Sequence, residues 1–115
     1  MSGSKDRRRS ISTAQVKMRA LNFSLDQATD AISGFDRFGI DSVIDLGAGS
    51  HTIIFKSPFE RDCSLAGFSS ADADVAVQVI AVAYDRITIQ SHVAGVAADA
   101  DVTLQVIGSD SRFDY

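Results

Sequence analysis

Residue types that often indicate a particular function are scarce in this sequence of 115 residues. It contains no tryptophan, two tyrosines, one proline and a single cysteine, Cys63. One cysteine excludes a disulfide within the chain, and the lack of tryptophan leaves little aromatic surface for stacking on sugars. The longest apolar run, Val79 to Tyr84, is too short to cross a bilayer. We therefore expect no membrane segment and a buried, structural thiol.

Recognisable catalytic and ligand-binding motifs are scarce as well. His51, His92 and Cys63 are widely separated and lack the close ligand pairs of zinc sites. No G-x-S-x-G nucleophile elbow is present. The segment LGAGSHT lacks the lysine of a phosphate-binding loop and is more typical of a hairpin turn. The sequence thus predicts a protein that is not an enzyme and has no cofactor.

Positive charge is concentrated at the N-terminus. Residues 1–20 hold six basic residues and one acidic residue, a net charge of +5, whereas the rest holds five basic and fourteen acidic residues, a net charge of −9. We interpret residues 1–10 as a basic arm that binds a partner through Lys5, Arg7, Arg8 and Arg9, although a solvated tail remains an alternative. The acidic body would repel phosphate, so an acidic protein surface is favoured over nucleic acid.

Residues 11–35 predict a helical, oligomerising segment. Apolar residues recur there at alternating spacings of three and four, as in a coiled-coil seam, and Ser12 with Gln15 would cap the start. The seam residues are Ile11, Ala14, Met18, Leu21, Leu25, Ala28, Ile32 and Phe35. The seam could pair with identical helices or pack on its own subunit. A third alternative is a break near Asn22, with an extended segment before it and a separate short helix after it.

From residue 40 to residue 110 the pattern changes to that of short strands separated by turns. Six strands are predicted, including one at about Ser42 to Leu46, one in HTIIFK after the Gly47 to Ser50 turn, and one at Asp85 to Val93. This indicates a compact antiparallel β-sandwich or jelly-roll-like domain, followed by a polar tail at residues 111–115. Because such a core is small, burial against further copies of the chain is expected.

A near-repeat lies inside this domain. ADADVAVQVI at residues 71–80 returns as ADADVTLQVI at residues 98–107, with eight of ten positions identical. We expect both copies to be strands of one meander, on either side of the Asp85 to Val93 strand, which would place their acidic ends at one sheet edge. Carboxylates converging there are candidate calcium ligands, although aspartate is also common where turns lead into strands. The candidates are Asp72, Asp74, Asp99 and Asp101.

The order of these features resembles a known class of proteins. A basic arm, a short helical segment, and a small sandwich carrying GSHTIIFKSPF, DRITIQSHVAG and LQVIGSD resemble the β-sandwich modules of tailed-phage virions, found in short fibres, collars and capsid decoration proteins. The resemblance implies a structural virion protein that is made in the host cytoplasm, forms a homotrimer, and contacts other virion proteins through its arm. The alternative is a carbohydrate-binding module, with or without calcium at the aspartates.

Overall fold

A computed structural model describes residues 17–110 of the chain. The basic arm, Ile11 and Ala14 of the predicted seam, and the 111–115 tail lie outside those residues. Between residues 17 and 110 the chain is mainly β-structure. The strands are β1 (Met18–Asp26), β2 (Ala31–Ser33), β3 (Ile40–Gly47), β4 (Ser50–Phe55), β5 (Ser64–Ser69), β6 (Val75–Val82), β7 (Arg86–Val93), β8 (Val96–Ala97) and β9 (Asp101–Ser109), with one 3-10 turn at Arg37–Gly39.

The strands form two antiparallel sheets. The first has the order β2-β1-β9-β5, and the second has the order β3-β4-β7-β6, with β8 added to β7. The hairpin between β3 and β4 occurs where the glycine-rich LGAGS segment predicted it. None of the helical structure within residues 17–110 is long and apolar enough to span a membrane.

One hydrophobic core lies between the two sheets, as expected for a sandwich. The buried side chains alternate along the central strands, because successive residues of a strand point to opposite faces. The first sheet contributes Leu21, Phe23, Leu25, Val102, Leu104 and Val106, and the second contributes Ile53, Phe55, Ile87 and Ile89. The predicted fold class is thereby confirmed at the level of an antiparallel, sandwich-like β domain.

The helix predicted for residues 11–35 is wrong from Met18 onward. Phe23, an outward position in the heptad interpretation, is buried between Leu21 and Leu25, and this two-residue period is that of a strand. β1 pairs with β9 over all nine of its residues, and this tertiary pairing outweighs the helical spacing. The extended alternative for residues before Asn22 was correct, whereas the separate helix after it was not. The sandwich therefore includes β1 from Met18 and is not confined to residues 40–110.

The predicted seam residues consequently do not form one stripe. Leu21 and Leu25 are buried in the chain's own core, whereas Met18 and Phe35 are exposed. Ala28 lies exposed in the turn between β1 and β2, and Ile32 on β2 is half-buried. These positions span two strands and two turns, so they cannot supply a coiled-coil interface between residues 18 and 35.

The predicted three-strand meander is also wrong in its third strand. β6 and β7 pair antiparallel as expected, but β9 lies in the other sheet, between β1 and β5. After β7 the chain adds the two-residue β8 to the second sheet, and it then crosses to the first sheet at Ala98–Ala100. There Gln27 and Ala100 exchange backbone and side-chain hydrogen bonds. The two copies of the repeat thus occupy an edge strand, β6, and a central strand, β9.

Candidate functional site

The four aspartates predicted as calcium ligands belong to different sheets. Asp72 and Asp74 precede β6, whereas Asp99 and Asp101 lead into β9. Asp99 is used internally, because its Oδ1 accepts a hydrogen bond from the backbone N–H of Gly49 at 2.8 Å. Across residues 17–110 the structure does not gather any three of these four carboxylates into one group. The arginine arm, the other predicted site, lies outside the described residues.

A different group of potential ligands converges where the β1–β2 turn meets the β3–β4 hairpin. The ligand atoms of Asp30, Asp45 and His51 all lie within 4.8 Å of one another. The imidazole Nε2 of His51 is 3.0 Å from Oδ1 of Asp30 and 3.7 Å from Oδ1 of Asp45. The group therefore joins a turn of the first sheet to two strands of the second.

Local backbone structure places each of these side chains. Asp45 and His51 are direct cross-strand partners in the β3–β4 hairpin, so their side chains lie on the same face of the sheet. His51 points into the sandwich because it alternates with the buried Ile53 and Phe55. Asp30 has a positive φ of 60°, a left-handed conformation that aspartate tolerates better than most residues and that occurs in tight turns.

Gly49 holds the hairpin in position beside this group. Its carbonyl oxygen accepts hydrogen bonds from Ser91 N at 2.8 Å and from the side-chain amide of Gln27 at 3.2 Å. A Cβ on Gly49 would collide with the carbonyl oxygens of Ser91 and Ala98, and its φ is +73°. Only glycine fits both the backbone conformation and the close approach of the neighbouring chain.

Gln27 ties the first sheet to this hairpin from the other side. The side chain is completely buried, and both ends of its amide are used. Nε2 donates to Gly49 O, and Oε1 accepts a hydrogen bond from Ala100 N at 2.7 Å. Because a buried amide is costly unless it is paired, these bonds fix the β1–β2 turn, and with it Asp30, relative to Asp45 and His51.

His51 has an unusual environment for a buried histidine. It is fully buried, yet neither of its ring nitrogens has a hydrogen-bond partner within residues 17–110, and the same holds for Oδ1 of Asp30. The two carboxylates remain accessible, with side-chain exposures of 36% for Asp30 and 50% for Asp45. Imidazole nitrogen and carboxylate oxygen are both common metal ligands. The arrangement thus brings together a buried nitrogen, the buried Oδ1 of Asp30 and an oxygen of the half-exposed Asp45.

Sequence reasoning missed this group for two different reasons. Asp45 could have been found, because a turn at Gly47 to Ser50 places residue 45 opposite residue 51 in a hairpin. Asp30 could not have been found in this way, because it lies in the segment 11–35 that was predicted to be helical. His92 and Cys63, which the sequence analysis had already judged unlike zinc partners of His51, do not belong to the group.

Cys63 is a structural thiol, as the sequence predicted. It is 2% exposed, and its Sγ donates to the carbonyl oxygen of Arg86 at 3.6 Å. Burial raises the pKa of this thiol above its ordinary range. Because the thiolate is the reactive form, a raised pKa does not suit a nucleophile at neutral pH.

β6 is an exposed apolar strand at one edge of the second sheet. Within residues 17–110 it pairs with β7 alone, so its other edge is open. Its sequence, VAVQVIAV, contains no charged residue, glycine or proline. Val79, Ile80 and Val82, together with Tyr84 just after the strand, are between 38% and 53% exposed. Natural proteins usually protect such an edge with charges, proline or bulges.

A polar groove lies on the first sheet, at the end where β1 and β9 meet the segment after β5. Its volume is about 510 Å³. The lining is rich in hydroxyl groups and contains two carboxylates. It consists of Ser24, Asp26, Ala31, Ser33, Ser69, Ser70, Ala71, Asp101, Val102 and Thr103. Such a surface can form hydrogen bonds with a polar ligand but offers no aromatic ring for stacking.

No protein family, curated protein or solved structure matches this chain. The functional argument therefore rests on the residues and on their geometry.

Proposed function

We propose that this chain is a non-enzymatic structural subunit of a tailed-phage virion that associates with copies of itself along β6. The observation that carries the proposal is the open, uncharged edge of that strand. An unpaired row of backbone N–H and C=O groups, flanked by exposed valine and isoleucine, is a template for pairing with another strand. A monomeric protein would be at risk of aggregation there, whereas a subunit of an assembly would bury the edge.

The near-repeat supports the same assignment. β9 carries almost the same sequence as β6, and it is paired on both sides, by β1 and β5. Its inward residues Val102, Leu104 and Val106 are at most 2% exposed, whereas Val79 of β6, which occupies the same place in the repeat as Val106, is 38% exposed. The same pattern thus forms a fully covered central strand when it has partners on both edges.

The other edge of the second sheet does not offer an equivalent surface. β3 carries two charged residues, Asp41 and Asp45, whereas β6 carries none. The β3–β4 pairing also has two irregularities, against one in the β6–β7 pairing, between Val79 and Ala81. Charges and bulges of this kind discourage strand addition. The partner of β6 in this proposal is therefore the β6 strand of a second copy, since antiparallel pairing of two identical edges gives a closed twofold contact.

The predicted homotrimer stays a prediction. The heptad series that motivated it is not a helix between residues 18 and 35, and the twofold β6 contact alone gives a dimer, so a trimer would need a further contact between copies. The basic arm keeps its proposed role as an anchor, through Lys5, Arg7, Arg8 and Arg9, to an acidic surface of another virion protein. Nucleic acid is not proposed as the partner.

Sedimentation velocity of the full chain at micromolar concentration tests the proposal. We expect a dimer or a larger closed assembly, and we expect Ile80→Lys and Val82→Lys to give monomers with an unchanged circular dichroism spectrum. Phe38→Lys is the matched control, because Phe38 is 71% exposed but lies in the 3-10 turn. Reversing the charges of Arg7, Arg8 and Arg9 should leave self-association intact. A monomeric wild-type protein would rule the proposal out.

A carbohydrate-binding module is the second candidate, and the polar groove on the first sheet favours it. Serine and threonine hydroxyls with Asp26 and Asp101 are suitable partners for sugar hydroxyls. Glycan-array screening of wild type and Asp101→Asn is the test. Binding that is lost in the variant would support this function, and the absence of any bound glycan would remove it.

A further inference from the structure

We propose that Asp30, Asp45 and His51 form a binding site for one divalent transition-metal ion, with zinc as the best-matched ion. The ion would connect the β1–β2 turn of the first sheet to the β3–β4 hairpin of the second. This inference does not depend on how β6 associates.

The first argument is the state of the His51 ring. A buried polar group normally has a hydrogen-bond partner, and an unpaired one costs about 1–3 kcal/mol. Both ring nitrogens of His51 lack such a partner within residues 17–110, although the side chain is fully buried. Nε2 nevertheless lies close to both carboxylates, 3.0 Å from an oxygen of Asp30 and 3.7 Å from an oxygen of Asp45. A cation at that point would be bound by the ring nitrogen and by both oxygens.

The second argument is the spacing of the ligand atoms. Zinc binds imidazole nitrogen and carboxylate oxygen at about 2.0–2.2 Å, and tetrahedral angles then place neighbouring ligand atoms about 3.3 Å apart. The two distances from Nε2, 3.0 Å and 3.7 Å, lie on either side of that value. The three ligand atoms lie within 4.8 Å of one another, so closing the site requires the half-exposed Asp45 side chain to move towards the other two ligands.

The third argument is charge. Asp30 and Asp45 bring two negative charges close together, and the only ion-pair partner that either has within residues 17–110 is the imidazole of His51. A divalent cation bound between them balances those two charges. The net charge of −4 of the whole chain adds to the attraction for a cation.

The mixture of ligands selects the class of ion. Calcium and magnesium prefer sites made only of oxygen, with six or more ligands. Imidazole shifts the preference to zinc and to neighbouring first-row transition metals. Three protein ligands leave a fourth position for water, and the exposed side of Asp45 gives an ion access from solvent.

The proposal can be tested by titrating Zn²⁺ into the full chain after removal of bound metal with a chelator. We expect one equivalent to bind, and we expect the melting temperature to rise by about 10 °C at a hundredfold excess over the dissociation constant. Co²⁺ should bind at the same site and give visible absorption bands. Ca²⁺ at the same concentration should leave the melting temperature unchanged.

Variants decide whether the ion is at this site. Asp30→Asn and Asp45→Asn keep side-chain size, so both should fold while losing Zn²⁺ affinity at least tenfold. His51→Asn should abolish binding, and since it alters a buried residue its folding is checked by circular dichroism. Asp41→Asn, on the same strand as Asp45, and His92→Asn are matched controls and should bind as wild type does. The absence of a stoichiometric Zn²⁺ effect, equal binding of Ca²⁺, or binding retained in both aspartate variants would each overturn the proposal.

Discussion

The ring of Phe59 lies against the α-carbon of Gly108, so close that a Cβ at position 108 would be 2.5 Å from the ring. Phe59 is 1% exposed and contacts Phe55 edge to face, with 5.4 Å between the ring centroids. On another side the guanidinium of Arg19, the cross-strand partner of Gly108, lies 4.3 Å from the ring centroid. The phenylalanine that follows the only proline is thus held between the two sheets.

Gly108→Ala should therefore destabilise the fold. The added methyl would meet a rigid ring that is packed on its other sides, and overpacking of this kind costs about 1–3 kcal/mol. The measurement is the free energy of unfolding from urea denaturation. Gly67→Ala is the control, because a Cβ there meets nothing within 4 Å, and it should be close to neutral.

A double variant shows whether the Phe59 ring is the cause. In Phe59→Leu the ring is replaced by a smaller side chain, so Gly108→Ala should cost less in that background than in wild type, with a coupling of about 0.5–3 kcal/mol. Strictly additive free energies would mean that the methyl group acts through some other contact.

Gly49→Ala should be more damaging than Gly108→Ala. Its left-handed backbone costs alanine about 1–2 kcal/mol, and the added methyl would also collide with the carbonyl oxygens of Ser91 and Ala98. Gly95→Ala separates the two effects, since Gly95 has a φ of +82° but open space around it. Thermal unfolding should show a small loss for Gly95→Ala and a severe loss for Gly49→Ala. Equal losses would contradict the assigned collision.

Gln27→Ala should lower the free energy of unfolding by about 2–3 kcal/mol, because it leaves the part-buried Ala100 N–H without a side-chain acceptor and removes one hydrogen bond to Gly49 O. Gln105→Ala is the matched control. Gln105 is exposed on β9, and a surface change of this kind usually stays within about 0.5 kcal/mol. Chemical denaturation of both variants at neutral pH is the measurement, and a loss no larger than that of the control would contradict the bridging role of Gln27.

The strands β3, β4, β6 and β7 could be predicted from sequence because each is bounded by glycine, proline or aspartate and is rich in β-branched residues. β1 could not be predicted in the same way, because Leu21 and Leu25 are four residues apart. That spacing suits one face of a helix and one face of a strand equally well. Phe23 is the residue that decides between them, and only its pairing with Leu104 shows that it points inward.

The placement of the two copies of the repeat shows a second limit of predicting the fold from the sequence. Both copies of ADADVxxQVI are strands, as predicted, and in both the valine face is the one turned toward the core. Which sheet each copy joins depends on the crossover after β8, which is held by the hydrogen bonds between Gln27 and Ala100. Such long-range contacts leave no local pattern in the sequence. For the same reason Asp30 could not be connected with His51 before the structure was known.

Stability at alkaline pH should depend on Cys63. Because burial raises the pKa of the folded thiol, the unfolded chain deprotonates first as the pH rises. The stabilising contribution is therefore complete below the ordinary thiol pKa of about 8.5 and is lost as the pH rises from there through the raised folded value, by at most about 1.4 kcal/mol per pH unit. Urea denaturation between pH 7 and pH 10.5 should show a steeper loss for wild type than for Cys63→Ala, which has no thiol to titrate. Parallel curves for the two proteins would mean that the folded thiol titrates as an exposed one does.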